Sequence, residues 1–340
     1  MTTTECSTAH PSNGAGWRDR AREVGGEAGP AIRLALEIGE VAPLPGRGET
    51  TELFALLRDV ASADLTAARI VEAHLDARAI LAEAGRVPRA GGWGVFAAEG
   101  PGVRLDATEG GDGFTLTGTK PWCSVAGSLD RALVTAHTAP GHRRLFEVDL
   151  HAHGVTVREG GWAALGLSNV PSGPVDFDGV PAVPVGADDW YLERPGFAWG
   201  GIGVAACWLG GARGLASRLW AGATAPGREP DQIALMHLGA VDASIFAAQA
   251  VLDEAARLID AGHAVGAGGK LLADRVRVVT ASTVEDVLRR AAHSLGPAPL
   301  AHEADHARRV ADLELYVRQH HAERDEASLG RRLLETNTPW

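Results

Sequence analysis

Lysine is almost missing from this chain: of its 32 basic residues, only Lys120 and Lys270 are not arginine. We read that excess of arginine as a coding bias rather than a phosphate-binding device. Acidic residues number 43, and the formal net charge is −11. Such a balance argues against nucleic acid or an anionic membrane surface as the main partner. Cysteine is scarce as well. Cys6, Cys123 and Cys207 are scattered, odd in number and never spaced C-x-x-C, which argues against a disulfide framework or a cysteine-based zinc site. No run of 18 or more apolar residues occurs, and the polar opening "MTTTECSTAHPSNGAGW" is neither a secretory signal nor an arginine-rich transit peptide. The expectation is a cytoplasmic protein that engages neither membrane nor nucleic acid.

What is present is enough for a large core: 340 residues, 45% of them hydrophobic, which suits two or three domains. The first thirty residues, rich in Gly, Ser, Thr and charge, predict a loose tail. From Thr50 to Gly85 the period is helical. Leu53, Leu56 and Leu57 form one stripe, and Leu65, Ile70, Val71, Leu75 and Ile80 another. Asp64 is the natural N-cap of the second helix and Gly85 its natural stop. The next hundred residues alternate instead. "GFTLTGT", "RALVTAH", "RLFEVDL", "GVTVRE" and "PVDFDGV" predict short strands between Gly and Pro turns, as in an antiparallel barrel or sandwich. After Pro195 the helical period returns. Ile233, Met236, Val241, Ile245, Leu252 and Ile259 line one face of a single long helix, and about four such segments fit between Gly196 and Leu334.

Helices, a small β domain and a helical bundle, in that order, frame the most specific motif, "GTKPWCSVAGSLDRALVTAHT". It resembles the G-x-K-x-W-I-[ST]-x-[AG] strand of the acyl-CoA dehydrogenases. "ASADLTAARIVEAHLDA", "GFAWGGIGVAACWLGGARGLA" and "HSLGPAPLAHEADHARRVADLELY" resemble three further stretches of that family, so the likeness spans roughly residues 50 to 333. It implies an α+β fold: N-terminal helices (1–88, with a shortened, loose start), a middle antiparallel β-barrel domain (89–190) and a C-terminal four-helix bundle (191–340). It also implies flavin, FAD or FMN, held between the last two domains and across a subunit interface, in a homodimer or homotetramer. Trp122 and Ser124 would meet the flavin ring, an indole stacking near it and a hydroxyl hydrogen-bonding its polar edge. Ala97, Ala98, Gly296 and Arg228 would complete the cofactor contacts.

The sequence also holds a literal H-E-x-x-H, His302-Glu303-Ala304-Asp305-His306. A zinc hydrolase needs both histidines on one face of a buried helix, with bulky apolar neighbours excluding water. Ala304 and Asp305 supply none, and the resemblance gives Glu303 a family counterpart before the last helix. No metal site is assigned, and the histidines are expected on a solvated helix face.

Several of the family's devices are altered. Its catalytic glutamate, eight residues after the aspartate aligned with Asp312, falls on His320, with Glu323 as the fallback. The acid of the "TEP" loop survives as Glu99 without the serine that should follow. Gly200 or Gly201 stands where an arginine opens the first bundle helix. These residues leave three readings open. One is a flavin-dependent dehydrogenase of an acyl-CoA or other acyl thioester, with electron-transfer flavoprotein as a candidate partner. Another is a monooxygenase of the same fold fed by a flavin reductase. The third is a flavin-free, non-enzymatic partner subunit.

Overall fold

The computed structural model describes residues 14–111, 113–158, 160–227 and 229–337. Four helices come first: α1 (Gly14–Val24), α2 (Ala28–Gly39), α3 (Thr50–Ala63) and α4 (Leu65–Glu83). Seven strands follow: β1 (Trp93–Phe96), β2 (Leu105–Gly110), β3 (Gly113–Lys120), β4 (Arg131–Ala139), β5 (His142–Asp149), β6 (Val155–Val157) and β7 (Val175–Val185). The chain ends in α5 (Trp190–Glu193), α6 (Pro195–Ala223), α7 (Gln232–Asp260), α8 (Gly266–Leu295), α9 (Pro297–His302), α10 (Ala304–Tyr316) and α11 (Glu323–Glu335).

Local chemistry sets the boundaries of α4. The Asp64 carboxylate accepts the Ala67 N–H at 2.8 Å, taking one of the donors that the first helical turn leaves unpaired. At the other end Gly85, at φ +70°, ends the helix where a side chain would be strained. Asp64→Ala is expected to cost about 1 kcal/mol, read by urea denaturation. The predicted apolar stripes of α3 and α4 are all buried.

The expected loose start is corrected by the structure. From Gly14 onward the chain is helical, and Trp17, Ala21, Val24, Ala31, Leu34 and Ile38 are buried. Each is a short amphipathic stripe, made stable by packing α1 on α3 and α2 on α4 rather than by its own propensity.

The β region is mainly antiparallel, and its pairings return on themselves. β4 pairs β2 and β5, β2 pairs β3, β3 pairs β7, and β7 pairs β5. Two pairings depart from the antiparallel expectation: β1 runs parallel to β4, and β2 meets β4 in parallel at Asp106 and His137. β4 therefore serves as the central strand, and its buried run Ala132–Ala136 is continuous rather than alternating.

In the C-terminal part, three helices of 29, 29 and 30 residues, α6, α7 and α8, pack on one another, the shorter α10 lies against α6 and α8, and α11 packs on α8. The bundle is thus less even than four long segments would make it. Glycines bring α6 close to α3: a Cβ at Gly210 would lie 2.3 Å from the Arg58 carbonyl oxygen. On α7, Val241, Leu252 and Ile259 are buried as expected, but Ile233 and Met236 are exposed beside Leu235 and Phe246. The apolar stripe of this helix is wider than its contact with α6 and α8. By length and hydropathy alone α7 would suffice to cross a membrane, and here it is a helix of the bundle.

Candidate functional site

β3 delivers the chain to Trp122 and Ser124. The loop that carries them is pinned along residues 171–173, with the Cys123 N–H on the Gly173 carbonyl at 2.9 Å and the Val125 N–H on the Pro171 carbonyl at 2.8 Å. Cys123 is buried, Trp122 is 56% exposed, and both Trp122 and Val125 have positive φ, +59° and +49°. A tryptophan held in the left-handed region is an uncommon, strained arrangement. It keeps a large aromatic face turned out.

Lys120, just before this loop, is buried and donates to Glu99 Oε1 at 2.7 Å and to Thr135 Oγ1 at 2.8 Å. Burial pushes the lysine below its ordinary pKa. Burial also works against the Glu99 charge, but Lys120, Arg143 and His137 hold that carboxyl below its usual value. The pair closes the segment of Ala97 and Ala98 onto the Trp122 loop, and the space beside Gly100 is filled by Pro121. The segment of Ala97 and Ala98 is thus tied, through Glu99 and Gly100, to the start of the Trp122–Ser124 corner. Gly296 stands elsewhere, at the turn between α8 and α9 with φ +68°, and Arg228 lies outside the described residues.

Behind the corner runs a chain of polar contacts that sequence reasoning missed. The Ser124 hydroxyl shares a hydrogen bond of 2.8 Å with Ser172 and accepts one of 3.2 Å from Arg69 Nη2. Arg69 Nη1 binds Glu72 Oε2 at 2.9 Å, and Tyr316 Oη donates to that same oxygen at 3.3 Å. Burial raises the Glu72 carboxyl to about 7 and pushes the Tyr316 phenol far up. Arg69, Glu72, Asp76 and Glu83 occupy i, i+3, i+7 and i+14 of α4, one helical face, which the structure turns toward α6.

Two cavities meet at this face. One, of about 220 Å³, is floored by Leu53, Phe54, Leu57 and Leu75. The other, of about 570 Å³, reaches Arg277, Gln319 and His321. Glu72, Asp76, Arg194 and Gly200 line both. Arg194, almost fully buried, donates to Glu83 at 2.7 Å and lies 3.8 Å from Asp76. Gly200 packs against Asp76, whose oxygen would sit 3.0 Å from an added Cβ.

His320 is not the exposed helix residue that a polar neighbourhood suggests. It follows α10 in extended conformation, 4% exposed, with its ring edge on Trp208 at 6.3 Å between centroids. Its Nε2 lies 3.9 Å from Asp325 and makes no hydrogen bond, and burial lowers its pKa. It shares no contact with Trp122 or Ser124, although its neighbours Gln319 and His321 line the larger cavity. Glu323 is exposed at the start of α11. The H-E-x-x-H residues are divided between helices: α9 ends at His302, Glu303 takes a two-pronged bond from Arg218 at 2.6 and 2.7 Å, and α10 begins at Ala304. His306 is buried rather than solvated, because α10 turns it inward. Among the described residues no group of three His, Cys, Asp or Glu side chains is placed to hold a metal ion.

No protein-family model matches the chain, and no curated protein matches its sequence. Solved structures do match. Dibenzothiophene monooxygenase TdsC from Paenibacillus sp. A11-2 superposes with a TM-score of 0.74 at 20% identity, over 96% of this chain and 98% of that one. KijD3, in complex with FMN and an amino-deoxy keto sugar nucleotide, gives 0.79 at 17% identity, over 96% and 92%. Glutaryl-CoA dehydrogenase from Mycobacterium smegmatis gives 0.73 at 19% identity, over 91% of each chain. At these identities the likeness is one of fold: the chain has the acyl-CoA dehydrogenase-like fold, divergent in sequence.

Proposed function

We propose that this protein is a flavin-dependent oxidoreductase whose flavin ring lies against Trp122 and Ser124. The observation that carries the reading is the uncovered indole of Trp122, strained and turned outward beside a hydroxyl that is itself nearly buried. A planar heteroaromatic ring would cover that face and meet the hydroxyl at its polar edge. When bound, the flavin supplies two-electron redox chemistry. Ser124 can turn its hydroxyl from Ser172 to the ligand while Arg69 still donates to its oxygen, so the donor set fits. Gly296, remote from the corner within one chain, would serve a flavin shared across a subunit interface, as the family resemblance implies. TdsC and KijD3 are described with FMN and support FMN beside FAD as the occupant.

The geometry favours the oxygen-using reading over thioester dehydrogenation. Gly200 or Gly201 stands where the resemblance expects an arginine, and what faces Gly200 is the Asp76 carboxylate. Position 320 offers a buried imidazole of lowered pKa instead of a carboxylate. Negative charge near the substrate disfavours the anionic enolate that thioester oxidation builds up. His320, neutral and with a free ring nitrogen, remains a candidate proton acceptor in this reading. Glu323, exposed, is the weaker one.

The test is an absorbance spectrum of the purified protein before and after incubation with FMN or FAD and desalting. Retained flavin bands are the expected result, with no bleaching on anaerobic addition of acyl-CoA and oxygen uptake when reduced flavin is supplied. Bleaching by acyl-CoA would return the reaction to dehydrogenation. A colourless protein that refuses both flavins would leave the non-enzymatic partner.

A further inference from the structure

Glu72 is held by one oxygen and free at the other. Oε2 takes the bonds from Arg69 and Tyr316, while Oε1 makes no hydrogen bond among the described residues. The side chain is only 11% exposed, and Glu72 lines both cavities. A carboxylate anchored at one oxygen and open to a cavity at the other is built to exchange a proton with whatever occupies that cavity. Through Arg69 it is also two hydrogen bonds from Ser124.

We propose that Glu72 accepts a proton at this site from α4, as a carboxylate base distinct from the imidazole at position 320. This inference rests on the flavin reading above. In the step, the bond between a proton and the substrate's reacting atom breaks, and the proton bonds to Oε1. The carboxylate becomes the neutral acid, and the electron pair of the broken bond stays on the substrate. The two-electron oxidation itself belongs to the flavin chemistry proposed above. Arg69 and Tyr316 are positioning residues: they fix Oε2 and leave Oε1 the only oxygen free to move a proton.

The groups around Glu72 come from every packed element. They are Arg69 and Asp76 on α4, Cys207 on α6, Tyr191 on α5, Arg277 on α8 and Tyr316 on α10. Burial, with the Asp76 charge adding to it, outweighs Arg69 and Tyr316 and sets the Glu72 carboxyl at about 7, where a base changes state near neutral pH. Asp76, raised by burial in the same way, opposes a second negative charge beside it.

The midpoint potential of bound FMN, followed against pH by spectroelectrochemistry on the full-length protein, tests this without any substrate. Wild type should show a break in the slope near pH 7. Glu72→Gln should lose the break, and Glu72→Asp should keep it at a shifted pH, which separates proton exchange from a structural role. The infrared band of the protonated carboxyl should disappear over the same pH range in wild type and be missing in Glu72→Gln. Flavin bound with the same potential–pH curve in wild type and Glu72→Gln overturns the inference and leaves the flavin reading standing. A protein that retains no flavin overturns both.

Discussion

Arg194→Ala is expected to lower stability by about 3–5 kcal/mol, the range for breaking a buried charge network from one side. Arg194 is 2% exposed and sits at the junction of α5 and α6. Its guanidinium donates to Glu83 at 2.7 Å, approaches Asp76 to 3.8 Å, and lies over the rings of Tyr191 and Trp190 at 5.2 and 5.9 Å from their centroids. Alanine would remove the charge that both carboxylates share, and Asp76 has no hydrogen bond to fall back on among the described residues. Arg194→Lys should recover only part of the loss. A compact ammonium cannot fork between two carboxylates and stack on two rings at once. Denaturant unfolding of the two variants measures both effects. A loss below about 1 kcal/mol for alanine, the scale of an exposed pair, would mean that water already solvates these carboxylates and that the cavity beside α4 is not a dry binding space.

The contrast between Arg194 and Asp64 shows which parts of this protein could be read from its sequence. The Asp64 cap, the Gly85 stop, the start of α6 at Pro195 and the alternation of β3 obey rules that act within a few residues. All of them stand in the structure. The helices α1 and α2 do not announce themselves, since Trp17, Ala21 and Val24 are few among charges and glycines, and their burial is a tertiary fact. The place of the Trp122–Ser124 loop at the end of β3 was legible because a strand, a lysine and an aromatic come in fixed order. The Glu72 side of the site was not. Arg69, Glu72, Asp76 and Glu83 share one face of α4, and on sequence alone such a face is a solvated one. Only the packing of α6 against it makes those charges buried and partnered. The opposite error concerns His302 to His306. Their spacing suits a helix, but the chain is extended at Glu303, with φ −114° and ψ 95°, so the two histidines belong to different helices.

The face proposed to meet the flavin gives the other large effect. Trp122→Ala should weaken flavin binding by about ten- to a hundredfold, because covering a tryptophan face contributes on the order of 1.5–3 kcal/mol. The fold should tolerate the change. The indole is 56% exposed, and the loop is held by its backbone bonds at Cys123 and Val125 and by the buried Cys123 side chain. A second variant sharpens the argument. At φ +59° the Trp122 backbone is strained for any residue with a Cβ, whereas glycine adopts that conformation freely. Trp122→Gly should therefore leave the flavin-free protein as stable as wild type or more stable, by up to about 1 kcal/mol, while losing flavin affinity as alanine does. Thermal melting of the flavin-free protein and fluorescence titration with FMN read the two quantities separately. Opposite movement of stability and affinity is what a residue strained for its ligand should give. Unchanged affinity in both variants would detach Trp122 from the cofactor, and the strain at its backbone would then need a different occupant to explain it.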